Sequence, residues 1–205
     1  LNALKKDKVD KLVLNGTSAI NELDAQQREI YESEADTCYN RAANCLKSQE
    51  TTEALQNYSE ALEKYRRVFP DNQNIKIANT LVYIGICYSE MNDYEKELKY
   101  KLEAYNIFKR LNLDDDLNVA FCLNNVGIAY GNQNDQQKSM KFYLEALEMY
   151  RRLKVGDHID VANCLLNIGI VCFNLKIQDS ALKYNQDGIE MYRRLKIGDH
   201  ANVAY

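Results

Sequence analysis

Three glycines, Gly85, Gly127 and Gly169, stand 42 residues apart, and much of the surrounding sequence recurs at the same offset. Ala120, Ala162 and Ala204 keep the interval, as do His158 and His200. The segment EMYRRLKVGDH, Glu148 to His158, returns as EMYRRLKIGDH, Glu190 to His200. Self-similarity at a fixed period of this length is the mark of a stacked repeat architecture. Each unit of such a stack touches only its neighbours, so the 205-residue length sets a number of repeats rather than a number of domains.

Within each unit the apolar residues fall at spacings of three and four, the stripe of an amphipathic helix, and they do so twice, which predicts two helices per unit and no strand. The third unit is the cleanest. Its helix A carries Leu123, Val126, Gly127 and Tyr130, and its helix B carries Ser139, Tyr143, Ala146, Leu147 and Tyr150. On this pattern the units span residues 33–70, 74–113, 117–156 and 159–198, with the start of a fifth up to residue 205, so that 33–205 forms one array. Residues 1–32 stand outside it as a helical cap or a degenerate repeat, broken at Asn15-Gly16-Thr17. Asn92-Asp93 and Asn134-Asp135 predict the joints between A and B, since Asn tolerates the left-handed conformation and Asp caps the following helix. The glycine of helix A predicts a close approach of its partner helix. Two departures stand out. Glu97 and Lys101 occupy positions that hold a small residue and an aromatic or Asn elsewhere, and Asn185 and Gly188 predict a looser last helix B.

Charge and composition exclude several functions. The net charge is −4 with both signs interspersed, which argues against nucleic acid. No apolar run reaches about 18 residues and no signal peptide is visible, which argues against membrane insertion, while the cysteine usage favours a reducing compartment and hence a cytoplasmic protein. The six cysteines form no CxxC pair and read as reduced core residues. No phosphate loop, HExxH or GxSxG motif occurs, so the chain is read as a non-enzyme without cofactor or metal. His158 and His200 sit in inter-repeat links beside Asp157 and Asp199, where capping suits them better than catalysis. The runs Tyr150-Arg151-Arg152 and Tyr192-Arg193-Arg194 place cations at helix C-termini, with phosphate binding as the alternative.

The order large, large, small, aromatic on helix A, then small, aromatic, small on helix B, resembles the tetratricopeptide repeat. The 42-residue period, the GDH link and the LNNVG run from Leu123 to Gly127 are similar to the kinesin-light-chain type of that repeat. Over residues 33–205 the resemblance implies an all-α, right-handed superhelical solenoid whose concave groove, lined by A helices, holds a peptide segment or partner protein. Phasing helix A on its glycine then turns Asn79, Val82 and Ile86 toward that groove, with Ser89 and Glu90; from the next repeats come Phe121, Asn124, Ile128 and Asn132, then Asn163, Leu166, Ile170, Phe173 and Asn174. Asn79, Asn124 and Asn163 are expected to form a solvated ladder that offers donors and acceptors to a peptide backbone. The inner face offers mainly Lys47 as a cation, which disfavours carboxylate-gripping and acidic-cargo modes. A regulatory arm of a larger signalling protein, or an accessory domain of an enzyme outside this chain, are the competing expectations. Oligomeric state is not specified by the sequence.

Overall fold

The computed structural model describes the backbone of residues 2–113 and 115–195, and side chains within that range from residue 24 onward. Among these residues there are eight helices and no strand: α1 (Asn2–Lys47), α2 (Thr51–Val68), α3 (Ile75–Glu90), α4 (Tyr94–Leu111), α5 (Leu117–Asn132), α6 (Gln136–Arg152), α7 (Ile159–Asn174) and α8 (Gln178–Arg194). Every helix packs on the next in sequence. Beyond that, α3 packs on α5 and α5 on α7, whereas α2, α4, α6 and α8 show no comparable packing on one another. The odd-numbered helices therefore form the inner layer and the even-numbered helices the outer one. The array is an all-α solenoid, as the spacing predicts.

The expected break at Asn15-Gly16-Thr17 is absent, since α1 runs through it without interruption. One glycine costs a helix only about 1 kcal/mol relative to alanine, too little to end it unaided. The boundary drawn between residues 32 and 33 likewise falls inside α1, whose later half supplies Ala35, Cys38, Ala42 and Cys45 to the core.

The joints follow the repeat. Asn92 and Asn134 are left-handed, and Asp93 and Asp135 accept the backbone N–H of Lys96 and Lys138 at 3.2 and 3.1 Å. At the corresponding joint of the fourth repeat Lys176 takes the left-handed place and Ile177 gives α8 no side-chain cap. The links into the A helices are capped in register too. Asn74, Asp116 and His158, 42 residues apart, accept the N–H two residues on. His158 is thus a capping residue, as expected; His200 lies outside the described residues. Each link is tied at its far side in the last two repeats, where Arg152 pairs with Asp115 and Arg194 with Asp157, both at 2.8 Å. Arg151 and Arg193 lie beside Glu148 and Glu190. Arg152 and Arg194 thus serve the inter-repeat links, while Arg151 and Arg193 remain exposed at the helix ends.

All six cysteines are free and buried, as the sequence predicts. Of α8 only Ala181 and Gly188 are buried, whereas α6 buries seven residues. No described helix is long and apolar enough to cross a membrane.

Candidate functional site

The glycines of the A helices fix where the two layers meet. A Cβ at Gly127 would lie 2.6 Å from the Tyr143 ring, and one at Gly169 would overlap Asn185. In the second repeat the same space belongs to Lys101, whose Cγ would stand 2.7 Å from a Cβ at Gly85. The phase read from the sequence is therefore correct. Lys101 and Glu97, which broke the repeat pattern, are both buried and joined by an ion pair of 2.6 Å. Glu97 Oε2 also accepts from Asn132 Nδ2 at 2.9 Å, and the same amide reaches Ser89 Oγ at 3.2 Å. Loss of solvation pulls the Lys101 ammonium below its ordinary pKa even with Glu97 beside it.

Above this pair the inner layer forms a hollow of about 370 Å³, lined by Ile86, Ser89, Glu90, Lys101, Phe121, Asn124, Asn125, Ile128, Asp160, Asn163 and Asn167. Its wall is apolar where α3 and α5 supply Ile86, Phe121 and Ile128, and rich in amides toward α7. Asn124 and Asn125 are each only 4% exposed. Asn124 Oδ1 accepts from Asn167 Nδ2 at 3.4 Å, and Asn125 Nδ2 donates to the Phe121 carbonyl at 3.0 Å. That leaves Asn124 Nδ2 and Asn125 Oδ1 without a partner among the described residues, one donor and one acceptor on adjacent residues lining the hollow.

The hollow gathers seven of the fourteen residues phased toward the groove: Ile86, Ser89, Glu90, Phe121, Asn124, Ile128 and Asn163. The others lie elsewhere. Asn79 donates to Asn118, Asn132 is held by Glu97 and Ser89, and Asn174 donates to Gln136. Ile170 and Phe173 are exposed near the end of α7. Val82 is a core residue, and Leu166 meets Gly188 of the partner helix. The expected solvated ladder of Asn79, Asn124 and Asn163 does not form: each amide bridges helices, to Asn118, Asn167 and Tyr192 respectively. For Asn79 and Asn124 the physical reason is that adjacent A helices pack on each other, so part of their concave-facing stripe is sandwiched; Asn163 is engaged instead by its own B helix. Sequence phasing missed Asn125, Asn167 and Asp160. The first two share one repeat position with Tyr83, and Asp160 shares its position with Lys76 and Asn118, a register that would have exposed them.

A model of the tetratricopeptide repeat matches residues 33–110 and 98–152, more than half of the sequence. The chain belongs to the tetratricopeptide repeat family. Among solved structures, it is similar to BtubC (BKLC) from P. vanneervenii, at 20% identity and a TM-score of 0.68 over 83% of this chain and 67% of that one. It also resembles a Rap protein complexed with competence and sporulation factor, at 19% identity and a TM-score of 0.68, over 78% and 43% of the two chains. A third is the Rap conjugation gene regulator of plasmid pLS20 in complex with the Phr* peptide, at 19% identity and a TM-score of 0.60, over 73% and 40%. This chain thus spans less than half the length of those two Rap structures, and at such identities the likeness is one of fold. Comparison with curated proteins finds no match. The tetratricopeptide array supplies the inner layer and its hollow, and the residues that depart from the repeat supply the hollow's chemistry.

Proposed function

We propose that this chain is a protein-interaction module that takes an extended peptide segment of a partner into the concave hollow. The observation that carries the reading is the unpaired donor and acceptor, Asn124 Nδ2 and Asn125 Oδ1, on two nearly buried residues beside an apolar wall. An amide donor and an amide acceptor that open onto the hollow can pair with the C=O and N–H of a passing peptide backbone. Ile86, Phe121 and Ile128 would take the apolar side chains, with Asn163 and Asn167 at the far wall. The pLS20 Rap regulator, a protein of the same fold, is described with a peptide bound. Asn79, Val82, Asn132, Leu166, Ile170, Phe173 and Asn174, also phased toward the groove, belong to the shape and edges of this binding face. Six free cysteines suit a reducing compartment, which we take to be the cytoplasm.

The test is to pan random displayed peptides on the folded chain and measure the recovered binders by fluorescence anisotropy. Ile86→Ala and Asn167→Ala should weaken them several-fold at temperatures where both variants remain folded, and Lys141→Ala on outer helix α6 should change nothing. Binders that ignore the inner variants and lose affinity with Lys141→Ala would place the partner on the outer face.

A further inference from the structure

Among the described residues a polar lock joins successive A helices twice, α1 to α3 and α3 to α5, and is missing between α5 and α7. At its centre stand Asp36, Asn79, Phe121 and Asn163, one per repeat. Toward the next A helix, Asp36 holds Lys76 at 2.8 Å and Asn79 accepts company from Asn118, to which it donates at 3.1 Å. Toward its own B helix, Asp36 accepts from Tyr65 and Asn163 accepts from Tyr192. In the third repeat Phe121 fills the centre and can do neither. Two groups are left over: the Tyr150 hydroxyl, buried without a partner, and the Asp160 carboxylate.

Asp160, half-buried, lines the hollow together with Asn124, Asn125, Asn163 and Asn167. Its near neighbour His158 does not satisfy it. The His158 Nδ1 accepts the Asp160 backbone N–H at 3.2 Å and stands 3.5 Å from the carboxylate, too far for a good hydrogen bond. The hollow's own cation, Lys101, is bound to Glu97. Glu90 adds a second carboxylate at the wall, bonded to the Thr51 hydroxyl. The cavity is therefore net negative, and of its two carboxylates without a counter-cation Asp160 is the one that accepts no side-chain hydrogen bond.

We infer that the segment bound in the hollow carries a lysine or arginine side chain that pairs with Asp160, its flanking backbone held by Asn124 and Asn125. This rests on the groove reading above and adds the charge of the partner to it. A half-desolvated carboxylate with no internal partner gains more from an incoming cation than a solvated one does. Burial also holds the Asp160 carboxyl above its ordinary pKa, the direction expected of a carboxylate short of a countercharge.

Two pools of acetylated, amidated heptapeptides test it, randomised at the flanking positions and carrying either lysine or norleucine at the centre. Anisotropy with the intact chain should show the lysine pool binding about tenfold more tightly than the norleucine pool, and the advantage should shrink in high salt. Asp160→Asn should abolish the preference while leaving norleucine binding in place. Phe121→Asn, which supplies the missing lock, should reduce it by giving Asp160 an internal hydrogen bond. Equal binding of both pools to the unaltered chain, or a lysine preference that survives Asp160→Asn, would overturn the cation inference and leave the groove standing. No binding by either pool would remove the groove reading, and the inference with it.

Discussion

The second and third repeats have the same backbone plan and opposite interiors. Gly127 receives the ring of Tyr143, with Ser139 one turn earlier donating to the Gly127 carbonyl at 2.8 Å. Gly85 receives Lys101, with Glu97 one turn earlier. The third repeat is closed by apolar packing and a neutral hydrogen bond. The second is closed by an ion pair that must be complete to be tolerable, because charges removed from water are stabilised only by each other and their hydrogen bonds. The same repeat position can thus be filled by either chemistry, but only the ionic version depends on every member being present.

That difference sets the largest expected effect. Glu97→Ala strands the Lys101 ammonium and should cost about 3–5 kcal/mol in denaturant unfolding. The paired change Glu97→Ser with Lys101→Tyr copies the third repeat into the second, and should restore that loss or exceed it by about 1–4 kcal/mol. A double variant no better than the single one would show that the two interiors are not interchangeable. In the third repeat the equivalent break is steric. Gly127→Leu drives a side chain into Tyr143 and should cost about 1–3 kcal/mol or more, and a raised melting midpoint would mean that the rings do not meet as described.

Smaller effects separate locked from unlocked repeats. Tyr192→Phe removes the donor to Asn163 and should cost about 0.5–1.5 kcal/mol, and Asn124→Ala a similar amount through Asn167. Tyr150→Phe removes a hydroxyl with no partner and should be neutral or stabilising, since its burial is uncompensated. Equal losses for Tyr150→Phe and Tyr192→Phe would mean that the lock is not missing at Phe121. The smallest effect is pH-dependent. The folded-state pKa of Asp160 lies above its ordinary 3.8, so its charge costs stability at neutral pH and the cost fades as pH falls. Asp160→Asn should therefore raise the melting midpoint at pH 7, with the gain vanishing below about pH 3.8. A gain constant with pH would dissociate it from the carboxylate.

Comparing α6 with α8 shows how far burial is a neighbour's property. Leu147 and Ile189 occupy the same repeat position, yet the first is 3% exposed and the second 40%. α7 packs over α6, while the next stretch of sequence after α8, residues 196–205, lies outside the described residues.

Period, helix pairing, joint caps and the glycine contacts were legible in the sequence because each depends on residues within one unit. A left-handed Asn92 followed by a capping Asp93 is local chemistry, and Gly127 needs only its own hairpin to be explained. Register even marked Glu97 and Lys101 as unlike their equivalents, but not as a pair sealed from water. The run Asn15-Gly16-Thr17 misled because it has the composition of a break without the strength of one. What the sequence could not decide was which groove-facing amides remain open. Asn79, Asn124 and Asn163 share a composition and a face, yet one binds Asn118, one Asn167 and one Tyr192, on three different helices. Their partners stand 39, 43 and 29 residues away. The first two of these contacts exist only once neighbouring repeats stack and the third only once α7 and α8 close on each other, and the same assembly leaves the Asp160 carboxylate without a hydrogen bond.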